Sequence, residues 1–116
     1  MDTTIVTIIL NYNGKTDTYN CIKSLNKLTI PEGVNHQVVI VDNYSEDDSV
    51  KYLSSKFSRL KIITSDKNSG FTGGNNLGVK YARELGADWV FLLNNDTMTH
   101  PDLLKNLYEF ALCKPK

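Results

Sequence analysis

Trp89-Val90-Phe91-Leu92-Leu93-Asn94-Asn95-Asp96-Thr97 runs five large apolar residues straight into two amides and a carboxylate. A strand with one wet face alternates apolar and polar residues, so this unbroken run predicts a strand of a parallel sheet, central and covered on both faces. In open parallel sheets ligands bind in the crevice beyond the carboxyl ends of the strands. Asp96 is therefore the first candidate for chemistry, at the place where an α/β protein keeps a metal or a phosphate.

Elsewhere in the chain the same pattern repeats. Ile5 to Leu10 is rich in β-branched residues and ends at Asn11-Tyr12-Asn13-Gly14, which predicts a first strand. Ile22, Leu25 and Leu28 recur at helical spacing between about Lys15 and Leu28, before Pro31-Glu32-Gly33 breaks the chain. Gln37 to Val41 predicts a second strand ending at Asp42-Asn43. Ser45 and Asp48 resemble a capping box for a helix marked by Val50, Leu53 and Phe57. Leu60 to Thr64 predicts a third strand. Thr72-Gly73-Gly74-Asn75 then opens a helix with Gly78, Tyr81, Ala82 and Leu85 on one face and Gly86 as its C-cap. After the fourth strand, Thr99, Pro101 and Asp102 launch a last helix through Phe110. Four strands alternating with four helices imply right-handed crossovers and a parallel sheet.

The bulk numbers exclude several classes. At 116 residues the chain is read as one domain, 1–116. Thirteen cations balance thirteen anions, so no global field favours nucleic acid, and any anionic ligand has to be held locally. No apolar run approaches the roughly 20 residues of a membrane span, and Met1-Asp2 opens without a signal peptide. Cys21 and Cys113 lack metal-ligand spacing and read as inert thiols of a reducing compartment. His36 and His100 have no companions at ligand spacing and read as loop residues, and no GxSxG elbow is present. Lys51, Lys56, Arg59 and Lys61 read as a solvated face.

Eight of the 12 asparagines (Asn11, Asn13, Asn43, Asn68, Asn75, Asn76, Asn94, Asn95) follow strands and so share one edge of the sheet. Turn and cap preference accounts for part of this excess. The remainder suits a site that reads a base edge, a ribose or sugar hydroxyls without adding charge. Asp42, Asp66 and Asp96 bring carboxylates to the same edge, as a divalent cation with oxygen ligands requires. Gly70-Phe71-Thr72-Gly73-Gly74 ahead of a helix permits either a phosphate at the helix N-terminus or a tight packing turn, and both readings stand. Tyr12 fits a base-stacking role or a cap on the core.

Taken together, IVTIILNYNG (5–14), VIVDNYSED (39–47), NSGFTGGNNLG (68–78) and VFLLNNDTMTHPDL (90–103) resemble the inverting family 2 glycosyltransferases of the GT-A fold, rhamnosyltransferase-like members above all. The resemblance implies an α/β fold: a three-layer α/β/α, Rossmann-like, mostly parallel sheet of the nucleotide-diphospho-sugar transferase type, here its truncated front half. It implies that Asn11 and Tyr12 line a nucleoside pocket, that Asp42 and Asn43 lie close to base and ribose, and that Asn68, Gly74 and Asn76 complete the nucleotide wall. Asn94-Asn95-Asp96 falls where the family has its DxD motif, so Asp96 is the expected ligand of Mg²⁺ or Mn²⁺. Asn94 replaces the first aspartate, which removes one charge and leaves the donor phosphates to recruit the ion.

The implied reaction transfers a sugar from a UDP- or dTDP-linked donor to the hydroxyl of a glycan or lipid-linked acceptor, with inversion. The catalytic base is expected beyond Lys116, so no catalytic residue is assigned within the chain and the chain alone is expected to be inactive. Polysaccharide biosynthesis in the cytoplasm, at the inner face of the membrane for the full-length protein, is implied by the same resemblance. Self-association through an exposed sheet edge is expected if the fourth strand lacks a neighbour. Two rival readings remain. A noncatalytic binding or assembly domain could use the same scaffold. A sugar-phosphate nucleotidyltransferase would need a Gly-rich basic loop after the first strand, which Asn11-Tyr12-Asn13-Gly14-Lys15 does not supply.

Overall fold

The computed structural model describes residues 2–113, with their side chains through residue 110, so the Cys113 side chain lies outside the described residues. Strands and helices alternate strictly: β1 (Thr3–Asn11), α1 (Lys15–Leu25), β2 (Val34–Asp42), α2 (Ser49–Lys56), β3 (Lys61–Thr64), α3 (Gly70–Glu84), β4 (Trp89–Asn94) and α4 (Leu103–Cys113). The sheet order is β3-β2-β1-β4 and every pairing is parallel. All four strands therefore point their carboxyl ends at one edge. No described helix is long and apolar enough to cross a membrane.

Two apolar layers flank the sheet. On one face Ile9 and Ile40 pack against Cys21, Ile22 and Leu25 of α1 and Leu53 of α2. On the other, Val6, Ile8, Val39 and Val41 pack against Ala82 of α3. The alternation of β1 residues between these clusters is the period-2 rule at work in a strand buried on both sides. Gly86, at φ 77°, ends α3 in a Schellman motif: Ala87 N donates to Ala82 O and Gly86 N to Arg83 O.

β4 is not central. Among the described residues it pairs only with β1, at the edge of the sheet, and Val90 and Leu92 on its α3 side are 40% and 46% exposed. β1 and β2 occupy the middle instead. An apolar run records that water is to be excluded from a strand but not which neighbour excludes it. The capping-box reading of Ser45 and Asp48 also needs correction. Ser45 is taken by Asp42, while the Asp47 carboxylate accepts from Ser49 N (2.9 Å) and from the Ser49 hydroxyl. An acceptor two residues before the donor suffices at this turn.

His36 likewise lies inside β2 rather than in a loop, because pairing with β1 begins as early as Val34. Its Nε2 is 2.7 Å from Thr7 Oγ1, and burial lowers the imidazole below its usual 6.5. The unfolded chain then takes up a proton near pH 6.5 that the folded chain refuses. His36 therefore contributes stability that is complete above pH 6.5 and is lost as pH falls through the lower folded value. Urea midpoints at pH 7.5 and 5.5 should fall more steeply for the native sequence than for His36→Gln. Equal slopes would rule out this linkage.

Gly78 shows why a glycine sits inside α3. A Cβ there would stand 2.6 Å from Ile8 Cγ2 and 3.1 Å from Val41 Cγ2, both on buried central strands. Alanine would gain helix propensity, but here overpacking outweighs it. Gly78→Ala is expected to destabilise by about 1–3 kcal/mol, read from denaturant midpoints. A more stable variant would show that α3 can lift off the sheet at no cost.

Candidate functional site

The carboxyl ends of β1 and β2 place Asn11 beside Asp42 as register partners. Both are inside the protein, 0% and 4% exposed. Asn11 Nδ2 donates to Asp42 Oδ1 (2.9 Å), and Asn11 Oδ1 accepts from Thr18 Oγ1 of α1 (2.6 Å). Thr18 Oγ1 in turn accepts from Asn95 Nδ2 in the loop after β4 (3.2 Å). At the far end Asp42 also accepts from Ser45 Oγ (2.7 Å) and Ser45 N (3.0 Å). Tyr44 makes that return possible by adopting φ 68°, a left-handed conformation uncommon for a bulky residue. One hydrogen-bonded relay thus joins the β4 loop, α1, β1, β2 and the β2–α2 loop. Its polar groups are mutually satisfied, as burial demands.

A second knot ties β2 to α3. Asn43 Nδ2 donates to Asn68 Oδ1 (3.1 Å) and to Gly70 O (3.0 Å), and Asn43 Oδ1 accepts from Ser69 N (3.0 Å). The segment Gly70-Phe71-Thr72-Gly73-Gly74 is not a loop before the helix, because α3 already begins at Gly70. Gly74 is buried against Leu10 and Asn43, where a Cβ would collide with Leu10 Cδ1. Of the two readings of these glycines, close helix-on-sheet packing is the one this contact displays.

Above the relay lies a cleft of about 290 Å³ lined by Leu10, Tyr12, Phe71, Leu93, Asn94, Asn95 and Asp96. Tyr12 is 45% exposed and Asp96 is exposed, so an aromatic ring and a carboxylate are both open to a ligand. The ten candidates therefore fall into groups. Tyr12, Asn94, Asn95 and Asp96 line the cleft. Asn11 and Asp42 lie buried and hold Asn95 through Thr18. Asn43 and Asn68 fasten the start of α3, with Gly74 behind them.

Asn76 is exposed on α3 and is not among the cleft residues. Its neighbour Asn75 is turned inward, 5% exposed, with Nδ2 lacking any hydrogen-bond partner among the described residues. A buried unmet donor costs about 1–3 kcal/mol, so Asn75, grouped above with the strand-end asparagines but given no role in the nucleotide wall, is the one of the pair that the structure singles out. A signal for it exists: Gly74 and Gly78 at i, i+4 mark the face of α3 that meets the sheet, and Asn75 shares that face with Gly78 and Ala82, whereas Asn76 leaves it.

The electrostatics of this edge are acidic. Asp42, Glu46, Asp47, Asp48, Asp66 and Asp96 all lie at or just after strand ends, against Lys15 and Lys67. Lys15 is engaged with Asp48 in an exposed ion pair that raises the lysine pKa and lowers that of the aspartate. A polyphosphate approaching this edge meets net repulsion unless a cation comes with it. Among the described residues no three His, Cys, Asp or Glu side chains converge. Asp96 and the amide oxygens of Asn94 and Asn95 are hard oxygen donors of the kind Mg²⁺ and Mn²⁺ accept, but they complete a coordination shell only with ligand or water oxygens added. The Cys21 thiol approaches Asn94 O at 3.9 Å. Burial pushes it up to about 11, the Asp96 charge acts the same way, and the thiol stays neutral and inert at pH 7.

This arrangement has relatives among known proteins. The model for Glycosyl transferase family 2 matches residues 6–115. The dTDP-rhamnosyl transferase RfbF of Shigella flexneri is 27% identical over 108 residues, covering 92% of this chain and 34% of its own. The structure of S. aureus TarS 1-349 in complex with UDP-GlcNAc superposes with a TM-score of 0.79 at 24% identity, covering 95% of this chain and 31% of that one. The mannosyltransferase PcManGT from Pyrobaculum calidifontis, solved with GDP-Man and Mn2+, superposes with a TM-score of 0.78 at 17% identity, covering 99% and 34%. At such identities the structural likeness shows the GT-A fold alone. The chain spans about a third of the length of the first curated relatives it matches.

Proposed function

The chain belongs to glycosyl transferase family 2, and from that premise we propose that its cleft binds the nucleoside diphosphate of a sugar donor, with Asp96 holding the divalent cation. The observation that carries this reading is the meeting of Tyr12, Asn94, Asn95 and Asp96 in one cleft at the carboxyl edge of the sheet. Tyr12 offers a face on which a base can stack. The amides offer donors and acceptors for hydroxyls. Asp96 supplies the one carboxylate among the lining residues. Metal bound there would neutralise charge on the departing diphosphate. The buried relay from Asp42 to Asn95 fixes the amide that reaches the ligand, so the site is ordered before binding.

The donor class draws support from the relatives, one solved with UDP-GlcNAc, one with GDP-Man and one named a dTDP-rhamnosyl transferase. Transfer with inversion to a glycan or lipid-linked hydroxyl is part of the same proposal. Asp96 is given to the cation in this proposal, and no residue of 1–116 is assigned as the base that deprotonates the acceptor. Asp102 lies beside the start of α4 and Glu109 on that helix, and neither lines the cleft.

Ligand-observed NMR tests the donor reading. Saturation transfer from the protein to the base and ribose protons of UDP or dTDP, competed by the corresponding nucleotide sugar, is the expected result. Transfer to no nucleoside diphosphate would favour the rival scaffold role. We also propose self-association of this chain along β4, since Val90 and Leu92 present apolar surface on an edge strand. Sedimentation velocity should show a concentration-dependent dimer, and a single monomer at every concentration would refute it.

A further inference from the structure

We propose that the cleft at the opposite, N-terminal edge of the sheet docks an anionic membrane lipid, its chain among apolar walls and its headgroup on Lys56 and Arg59. This cleft measures about 740 Å³ and lies between the end of α1 and the α2–β3 loop, over His36 and Val38 of β2. That volume is within the range of small-molecule sites, roughly 300–1,000 Å³. Its walls include Ile22, Leu25, Leu28, Phe57 and Leu60. Ile30, also a lining residue, is 43% exposed in the loop that leads from α1 to β2.

Charge selects the occupant. No carboxylate is among the lining residues, which include Lys56, Arg59 and Lys61. Lys61 does not count toward the rim, because its ammonium sits 5.1 Å from the centroid of Tyr81 on the other face of the sheet. Arg59 is exposed and has no ion pair or hydrogen bond among the described residues. Lys56 rests over the Tyr52 ring of its own helix at 5.5 Å, a contact weak enough at the surface to exchange for a phosphate. The imbalance extends beyond the rim. Residues 19–41 and 49–64 together hold six cations and only Glu32, whereas the rest of the neutral chain holds seven cations and twelve anions. The net positive charge thus lies on the elements around this cleft, and the net negative charge lies elsewhere, much of it in the loops at the carboxyl edge of the sheet.

An acidic peptide fits less well. Asn26, His36, Gln37 and Ser58 could meet some of its backbone groups, but those lying against Leu28 and Phe57 would lose water without a partner. A single anionic head on an apolar chain meets both halves of the surface. Lipid bound here would turn the Asp96 cleft away from the bilayer, since the two clefts occupy opposite edges of one parallel sheet.

The test is flotation of the chain with vesicles of phosphatidylcholine alone or mixed with phosphatidylglycerol. Binding to the mixed vesicles only is expected. Each rim cation contributes about fivefold at an anionic surface, so Lys56→Gln/Arg59→Gln should bind roughly 25-fold more weakly. Ile30→Asp should also weaken binding, and both substitutions are at exposed positions that leave the core untouched. No flotation, equal flotation of the variants, or equal binding to neutral vesicles would overturn the proposal. So would binding of poly-glutamate, abolished by the double substitution, without any vesicle binding. None of these outcomes depends on whether nucleotides bind at the other edge.

Discussion

Replacing Asp42 with alanine is expected to lower the melting temperature by about 10 °C. The carboxylate is 4% exposed and accepts from Asn11 Nδ2, Ser45 Oγ and Ser45 N. Hydrogen bonds to a buried charge are worth about 1.5–3 kcal/mol each, and removing the acceptor also leaves donors without partners. Ser45 Oγ, 3.3 Å from Asn11 Nδ2, recovers part of this, so a net loss of about 3 kcal/mol is the sum expected. For a domain of this size each kcal/mol moves the midpoint by roughly 3–4 °C. Asp42→Asn should lose less, since one acceptor oxygen survives. A thermal melt of Asp42→Ala within a degree or two of the parent would mean that the relay contributes nothing to stability. Because the relay ends on Asn95, the same variant should also bind nucleotide more weakly than its stability loss alone accounts for.

Asp96→Ala is expected to act in the opposite way, on ligand and not on fold. Asp96 is exposed and no hydrogen bond ties its side chain to the scaffold among the described residues, so the melting temperature should stay within about 1 °C, as surface substitutions usually do. Nucleotide affinity in the presence of Mn²⁺ should fall by at least roughly tenfold, since loss of even an outer-shell partner of a metal costs about 10–100-fold and a direct ligand costs no less. Affinity without metal should not fall, and loss of the Asp96 charge should raise it slightly by easing repulsion of the diphosphate. Asn94→Asp is the informative companion, because restoring the family's first aspartate should strengthen metal-dependent binding. Equal binding by all three proteins with and without Mn²⁺ would remove Asp96 from the metal site.

The succession of the strands along the chain and their parallel direction are legible in the sequence, because each apolar run ends in its own polar cluster and alternates with a helix, whereas their order in the sheet is not. The position of β4 is one instance. Trp89 to Leu93 announces a strand that excludes water, but composition is silent about which side a neighbour occupies. The site is legible in part for a similar reason. That Asn11 and Asp42 lie at one edge follows from strand ends, whereas their direct contact depends on the register of β1 against β2, which no local pattern encodes. Tyr12 and Asp96 emerge as cleft residues because strand-end side chains beyond the ladder face solvent. Asn75 escapes a local reading because two adjacent asparagines differ only by about 100° of helix rotation. The phase of α3 is set by how closely Gly74 and Gly78 approach Leu10 and Ile8. His36 reads as a loop residue for want of the same register information.

Whether the cleft at Asp96 is a metal-dependent nucleotide site is decided by calorimetric titration of the chain with UDP, dTDP and GDP, each in Mn²⁺ and in EDTA. Saturable heat for at least one nucleotide in Mn²⁺ is expected, strongly reduced in EDTA and in Asp96→Ala. No heat for any of the three at millimolar concentration, or binding that ignores both the metal and Asp96, would contradict that assignment.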